Sequence, residues 1–180
     1  MVAHRSTLAR VDAFLAVASK REVRRYADRP IPPETERRIL EAGRVAGSSK
    51  NRQPWRFVVL SDREAVERAA EAVWAADNVL GAALVIGLIV RGKGPVSFDA
   101  GRAAQNMMLA AWNDGVGSCP NGIADSAAMA EALGLTDEDH FAVVLTFGYP
   151  AGDIDPTRRT PEEWIARADR KPLDEVLERR

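Results

Sequence analysis

DAGRAAQNMMLAAWNDGVGSCPNG, Asp99–Gly122, decides the architecture. Its first fifteen residues are rich in Ala and Met and carry too little polar surface for a solvent-facing helix. The composition predicts a helix from Asp99 to Asn113 that is apolar all round and forms the centre of the core. GVGSCPNG (Gly115–Gly122) then carries a helix stop signal and predicts a flexible segment whose backbone N–H groups can face a ligand. It begins like a dinucleotide fingerprint, but Pro120 stands in the third glycine's place and a helix, not a strand, precedes it.

Apolar runs flank this helix on both sides. ALVIGLIVR upstream reads as a buried strand, and FAVVLTFGYP (Phe141–Pro150) as another, ended by Gly148 and Pro150. RFVVLS supplies a third. Leu8, Val11, Leu15 and Ala18 fall at helical spacing in residues 7–19. IPPETERRILEAGRVA (Ile31–Ala46) opens with Pro33, Glu34 and Glu36, a helix start. Ser61 with Glu64 predicts a capping box and a helix through about Trp74, and Asp125 or Ser126 caps a shorter one. After Pro150 comes a polar tail. Helices alternating with short strands, without repeats, predict an α+β domain in which helices cover a sheet.

The bulk numbers exclude several classes. A chain of 180 residues with 46% apolar and 28% charged residues is of ordinary globular composition. A net charge of −1 gives no global pull toward nucleic acid, so any anion site must be a local cluster. The single cysteine, Cys119, excludes an intramolecular disulfide, and two histidines without ligand spacing argue against a metal site. The longest apolar run, Val79–Val90, has 12 residues, short of a membrane span, and the N-terminus lacks signal-peptide character, so a cytoplasmic protein is expected. GLIVRGKG has P-loop spacing, but Gly94 stands where Mg²⁺ needs a hydroxyl and Pro95 follows instead of a helix.

Four local features remain, each with an ordinary explanation. SKREVRRYADRP (Ser19–Pro30) packs Lys20, Arg21, Arg24 and Arg25 around one acid, Glu22. As a helix it would hold like charges at i,i+4, each pair destabilising by about 0.2–0.5 kcal/mol; cations at a helix C-terminus are its plain reading. GSSKNRQPWRF (Gly47–Phe57) gathers Ser48, Ser49, Asn51 and Gln53 in one loop, as any hydrogen-bonded turn does. GVGSCPNG is the third, and RKP (Arg170–Pro172) the fourth, otherwise solvated tail charge.

In this order the four resemble elements of the nitroreductase family of FMN-dependent oxidoreductases. KREVRRY is similar to its RRSxRxF element, SSKNRQPWRFVV to PSxxNxQPW, and Asp99–Gly122 to DxGxAxQNxxLAAxxxGLGSC. FGYPA and RKPLDEV resemble its GYPA and RKPLxEV. The resemblance spans residues 19–178. It implies an intertwined homodimer of α+β sandwiches with FMN at the subunit interface and the central helix covered by its counterpart. It also implies a division into an N-terminal, dimer-associated helix (1–18) and an FMN-binding domain (19–178).

The resemblance implies roles too. Lys20, Arg21 and Arg24 match phosphate and ribityl contacts, with Arg25 facing solvent; Arg170, or its rival Arg159, matches the tail contact. Ser48, Ser49 and Asn51 match the loop along the flavin, with Gln53 and Gln105 as weaker candidates. Cys119, Pro120 and Asn121 match the segment over the flavin's other side, where a backbone N–H near N5 tunes its electronics. NADH or NADPH would supply hydride, a nitroaromatic or quinone would receive it, and no side chain stands out as a catalytic acid. Two positions depart from the pattern: Glu22 replaces Ser beside an expected phosphate, and Gly47 replaces Pro. Alternatives are a non-catalytic flavin-binding protein, or a specialised relative such as a reductive dehalogenase, for which RGKGPVSF is too short to form a lid.

Overall fold

The computed structural model describes residues 12–180; Leu8 and Val11 of the first predicted helix lie outside them. The described chain divides into two units, residues 21–154 and residues 12–20 with 155–180.

The larger unit is built on a four-stranded, wholly antiparallel sheet. Its strands are β1 (Trp55–Leu60), β2 (Leu84–Arg91), β3 (Gly117–Asn121) and β4 (Asp139–Gly148), in the order β1-β2-β4-β3. Side chains alternate between the sheet's faces, and each face carries its own core. On one face, Ile86, Leu88, Val90, Leu145 and Phe147 pack with α2 (Pro33–Arg44) and α5 (Val96–Asn113). On the other, Val85, Ile89 and Val144 pack with α3 (Arg63–Glu71), α4 (Ala76–Leu80) and α6 (Ser126–Ala132). Each such side chain, fully buried, contributes roughly 1.5–3 kcal/mol.

The helix signals hold with adjustments. Pro33 opens α2 with Glu34 and Glu36 in its first turn and Arg44 in its last, all favourable to the helix dipole. Asp125 caps α6, accepting from Ala127 N at 2.9 Å and Ala128 N at 3.0 Å. The predicted Ser61–Glu64 box does not form: Asp62 caps α3 instead, accepting from Ala65 N at 2.7 Å, and the helix ends at Glu71.

α5 is the central helix, but it is not buried all round. Ser97, Phe98, Gly101, Arg102, Gln105 and Asn106 form an exposed stripe at helical spacing, while Ala100, Ala103, Ala104, Met107, Met108 and Ala111 face the core. GVGSCPNG is likewise not a flexible loop, because its centre is strand β3.

The smaller unit packs α1 (Ala13–Ser19) against α7 (Pro161–Ala166) and ends in the short α8 (Leu173–Val176). A capping box opens α7: Glu163 N donates to Thr160 Oγ1 at 3.3 Å and Thr160 N to Glu163 Oε2 at 2.8 Å. No helix among the described residues is long and apolar enough to cross a membrane.

Candidate functional site

Helix α1 stops at Ser19, so the like-charge helical pairs never form. Beyond it, residues 21–26 run extended along one corner of the sheet. Glu22 bridges Ser118 of β3, and Val23 N donates to Ser118 O at 3.0 Å. Tyr26 bridges Pro150, and Ala27 N donates to Tyr149 O at 2.8 Å.

Two glycines let this segment lie flush. Gly117 and Gly148 face each other across β3 and β4. A Cβ on Gly117 would sit 2.6 Å from Val23 Cβ, and one on Gly148 would sit 2.7 Å from the Tyr26 ring. Val23 and Tyr26 therefore occupy the space that two side chains would need.

Tyr26 also anchors the segment through its hydroxyl, 2.9 Å from Thr146 Oγ1. Burial pushes that hydroxyl far above the ordinary phenol range, against the opposing effect of the Thr146 hydrogen bond. Glu22 and Arg24 both act on it electrostatically, in opposite senses.

β3 is an edge strand. Its open side is occupied at Ser118 by Val23 N, Pro120 has no N–H to offer, and Gly122 O accepts from Trp74 N at 3.1 Å. Of the predicted residues here, Pro120 is exposed while Cys119 and Asn121 are buried. The Asn121 amide accepts from Asn78 Nδ2 at 2.6 Å and donates to the carbonyls of Cys119 (3.2 Å) and Val144 (3.3 Å). Ser118 Oγ and Asn78 Oδ1, flanking these residues, are buried without a hydrogen-bond partner.

The loop of Ser48, Ser49, Asn51 and Gln53 sits elsewhere. Lys50, Asn51 and Gln53 all have φ near +50°, the left-handed region that non-glycine residues rarely hold. Local bonds impose it: Gln53 N donates to Ser48 Oγ at 2.9 Å and Asn51 N to Ser48 O at 3.0 Å. Ser49 N donates to the buried carboxylate of Asp99, in the first turn of α5, at 3.0 Å. Arg52 reaches Lys93 O at 2.9 Å, and a cleft of about 280 Å³ lies between this loop, the turn after β2 and α5. A second hollow, about 540 Å³, lies between α2 and β1, with Gln53 and Trp55 on its wall. The Arg102 guanidinium lies over Gly47, in the space a Cβ would take, and as the end of a flexible exposed side chain it could move aside for one.

These two groups occupy opposite corners of one sheet. β1 and β3 are its two edges, and Trp55 pairs at the Val90 and His140 end while Cys119 pairs with Thr146 near the other. Three strand spacings of about 4.8 Å and six residues of about 3.3 Å separate them by roughly 25 Å. The 18 residues of α5, which connects the corners, agree at about 27 Å.

In the smaller unit Arg170 donates to Ala168 O at 2.8 Å, and the Arg159 guanidinium lies 4.9 Å from the centre of the Trp164 ring. Lys20 follows α1 as its C-cap. Gln105 lies on the exposed stripe of α5 and Arg25 is exposed. Tyr26, Asp99, Gly122 and Thr146, which organise the two corners, are not among the predicted site residues. The signals for them were weak: a Tyr ending the basic run, and a lone Thr inside an apolar strand.

The larger unit thus combines an antiparallel sheet covered by helices on both faces, a basic segment laid over the β3 edge, and a strained polar loop at the opposite corner. The chain belongs to the Nitroreductase family, whose model matches residues 17–87 and 96–149. The stretch it skips is the end of β2 and the GKG turn. An Archaeoglobus fulgidus protein named NADH dehydrogenase/NAD(P)H nitroreductase is 30% identical over 82% of this chain and 96% of its own length. The NADH dehydrogenase of Thermus thermophilus is 27% identical, covering 89% of this chain and 97% of its own. Among solved structures, a Desulfovibrio desulfuricans protein described as a nitroreductase, in complex with FMN, superposes with a TM-score of 0.79 at 30% identity, covering 94% of this chain and 97% of the other.

Proposed function

We propose that this protein is an FMN-dependent oxidoreductase that takes electrons from NADH or NADPH and delivers them to a small organic acceptor such as a nitroaromatic or a quinone. One observation carries the reading: the likeness to the FMN-complexed Desulfovibrio structure, which extends over 94% of the chain. The residues fit the cofactor. Lys20, Arg21 and Arg24 follow one another on one short segment, and a phosphate dianion takes charge-assisted partners of that kind; hydroxyls and amides line the Ser48–Gln53 loop, and the buried hydroxyl of Ser118 lacks a partner beside Cys119.

Two half-reactions, donor first and acceptor second, are the chemistry that FMN supplies when bound. The chain's contribution is binding and orientation. Arg21 and Arg24, with Lys20 before them, hold the phosphate, and Arg170 is assigned to it on the family pattern alone. Cys119, Pro120 and Asn121 carry the ring. Since Pro120 has no N–H, the next amide along the open side of β3 belongs to Gly122, and we assign it the contact near N5.

The active form is a homodimer. The two corners of one sheet lie farther apart than one mononucleotide reaches, so each site takes the basic segment and β3 from one copy and the Ser48–Gln53 loop from the other. The stripe of α5 exposed in one copy is the surface that meets its counterpart.

The first test is to purify the protein, identify released flavin by chromatography, and follow NADH and NADPH oxidation with a nitroaromatic or quinone acceptor. Bound FMN and steady turnover are expected. A protein that takes up no FMN would refute the reading, and a yellow protein reducible by neither nicotinamide would make it a flavin carrier. For the shared site, mixing copies bearing Arg24→Ala with copies bearing Ser49→Pro regenerates intact sites only if each site draws on both chains.

A further inference from the structure

Thr146 is a polar residue in an apolar setting. It lies in the middle of β4, between Leu145 and Phe147, with no exposed surface. Valine has nearly the same shape and equal preference for a strand, so packing alone does not call for a hydroxyl here. The hydrogen bonds do. Thr146 Oγ1 donates to Cys119 O at 3.1 Å. With its one proton committed, it accepts from the Tyr26 hydroxyl at 2.9 Å and takes, at 3.3 Å, only a share of a proton that Asn121 Nδ2 also directs at the neighbouring carbonyls. Asn78, donating to Asn121 Oδ1 at 2.6 Å, fixes which way the Asn121 amide points.

A single buried hydroxyl thus touches both elements of the β3 corner. It holds the carbonyl of Cys119, in the strand assigned to the flavin ring, and the side chain that fastens the basic segment assigned to the phosphate. We propose that Thr146 is a positioning residue that sets the pose of β3 relative to residues 21–26, and so the spacing between the ring-binding and phosphate-binding parts of the site. The proposal rests on the flavin reading above. Thr146 contacts no ligand atom; it acts through Cys119 and Tyr26.

The test compares Thr146→Val, Thr146→Ser and Tyr26→Phe with wild type. Amide hydrogen exchange is measured on flavin-free protein, and FMN dissociation constant and visible flavin spectrum on the reconstituted form. Thr146→Val is expected to fold, to exchange faster in both residues 22–27 and 118–122, to bind FMN about tenfold more weakly as befits one to two lost buried hydrogen bonds, and to shift the flavin absorption band. Thr146→Ser restores all three. Tyr26→Phe frees only residues 22–27 and leaves the band in place.

Wild-type exchange, affinity and spectrum in Thr146→Val would overturn the proposal while leaving the flavin reading standing. So would a loss that Thr146→Ser fails to recover, since that marks a packing role. A wild-type protein that takes up no FMN would overturn the flavin reading and this proposal with it.

Discussion

Replacing Gly117 with alanine tests whether the basic segment is seated by the absence of a side chain. The added Cβ would stand 2.6 Å from Val23 Cβ and Cγ2 and 2.9 Å from Cγ1. Carbon atoms pack at about 3.5–4.0 Å, so strand and segment must part by roughly 1 Å. Val23 is buried, and overpacking of this kind costs about 1–3 kcal/mol. For a chain of this size that lowers the melting temperature by about 2–4 °C per kcal/mol.

The assay is thermal and urea unfolding of Gly117→Ala, with FMN retention measured alongside. A double-mutant cycle sharpens it. Val23→Ala leaves the Cβ contact in place, so Gly117→Ala with Val23→Ala recovers little. Val23→Gly removes all three contacting atoms, so its combination with Gly117→Ala shows a favourable coupling close to the cost of the single alanine. A Gly117→Ala protein as stable as wild type, or zero coupling with Val23→Gly, would refute the seating argument.

Asp139 gives an acid-side prediction: hydrogen bonds from Arg91 and Thr136 hold its carboxyl well below the usual carboxylate range. As pH falls below about 4 the unfolded chain takes up this proton first, so the stability advantage of wild type over Asp139→Asn shrinks there, as acid titrations of both will show. Tyr26 gives the alkaline counterpart. Its raised pKa means that above about pH 10 the unfolded chain ionises first and wild-type stability falls, while Tyr26→Phe, about 1 kcal/mol weaker at neutral pH, lacks that slope; denaturation curves at pH 8 and 10.5 check it. Arg24→Ala and Arg170→Ala should each weaken FMN retention and Arg25→Ala should not; equal loss in all three would sink the phosphate assignment.

Helix starts and the three apolar strands were legible because local chemistry and tertiary structure agree: Pro33 with Glu34, Asp125, and the β-branched runs of β1, β2 and β4. Strand β3 was not, because Gly, Ser, Cys, Pro and Asn have poor strand propensity; pairing with β4 and the bonds to Thr146 impose it. Lys20, Arg21, Arg24 and Arg25 have helical spacing, but the segment gains more from the edge of β3 than from another turn. The polar stripe of α5 was written in Arg102, Gln105 and Asn106 and outnumbered by alanine and methionine. Motifs supplied the residue types of the candidate site. They could not say that Ser48 and Cys119 end at opposite corners, since that follows from the strand order, which only long-range pairing decides.

The closure of the β3 edge has a consequence for self-association. An uncapped strand edge is a template on which further chains can add and polymerise. Here Val23 fills the ladder at Ser118, Pro120 interrupts it, and Trp74 takes the carbonyl of Gly122, so among the described strands only β1 offers an open side. A single copy therefore presents one side for strand addition, and two single copies that meet through β1 leave no further edge. The proposed homodimer brings two β1 edges, one per copy, so β1 is the edge at which strand addition between dimers would have to be blocked.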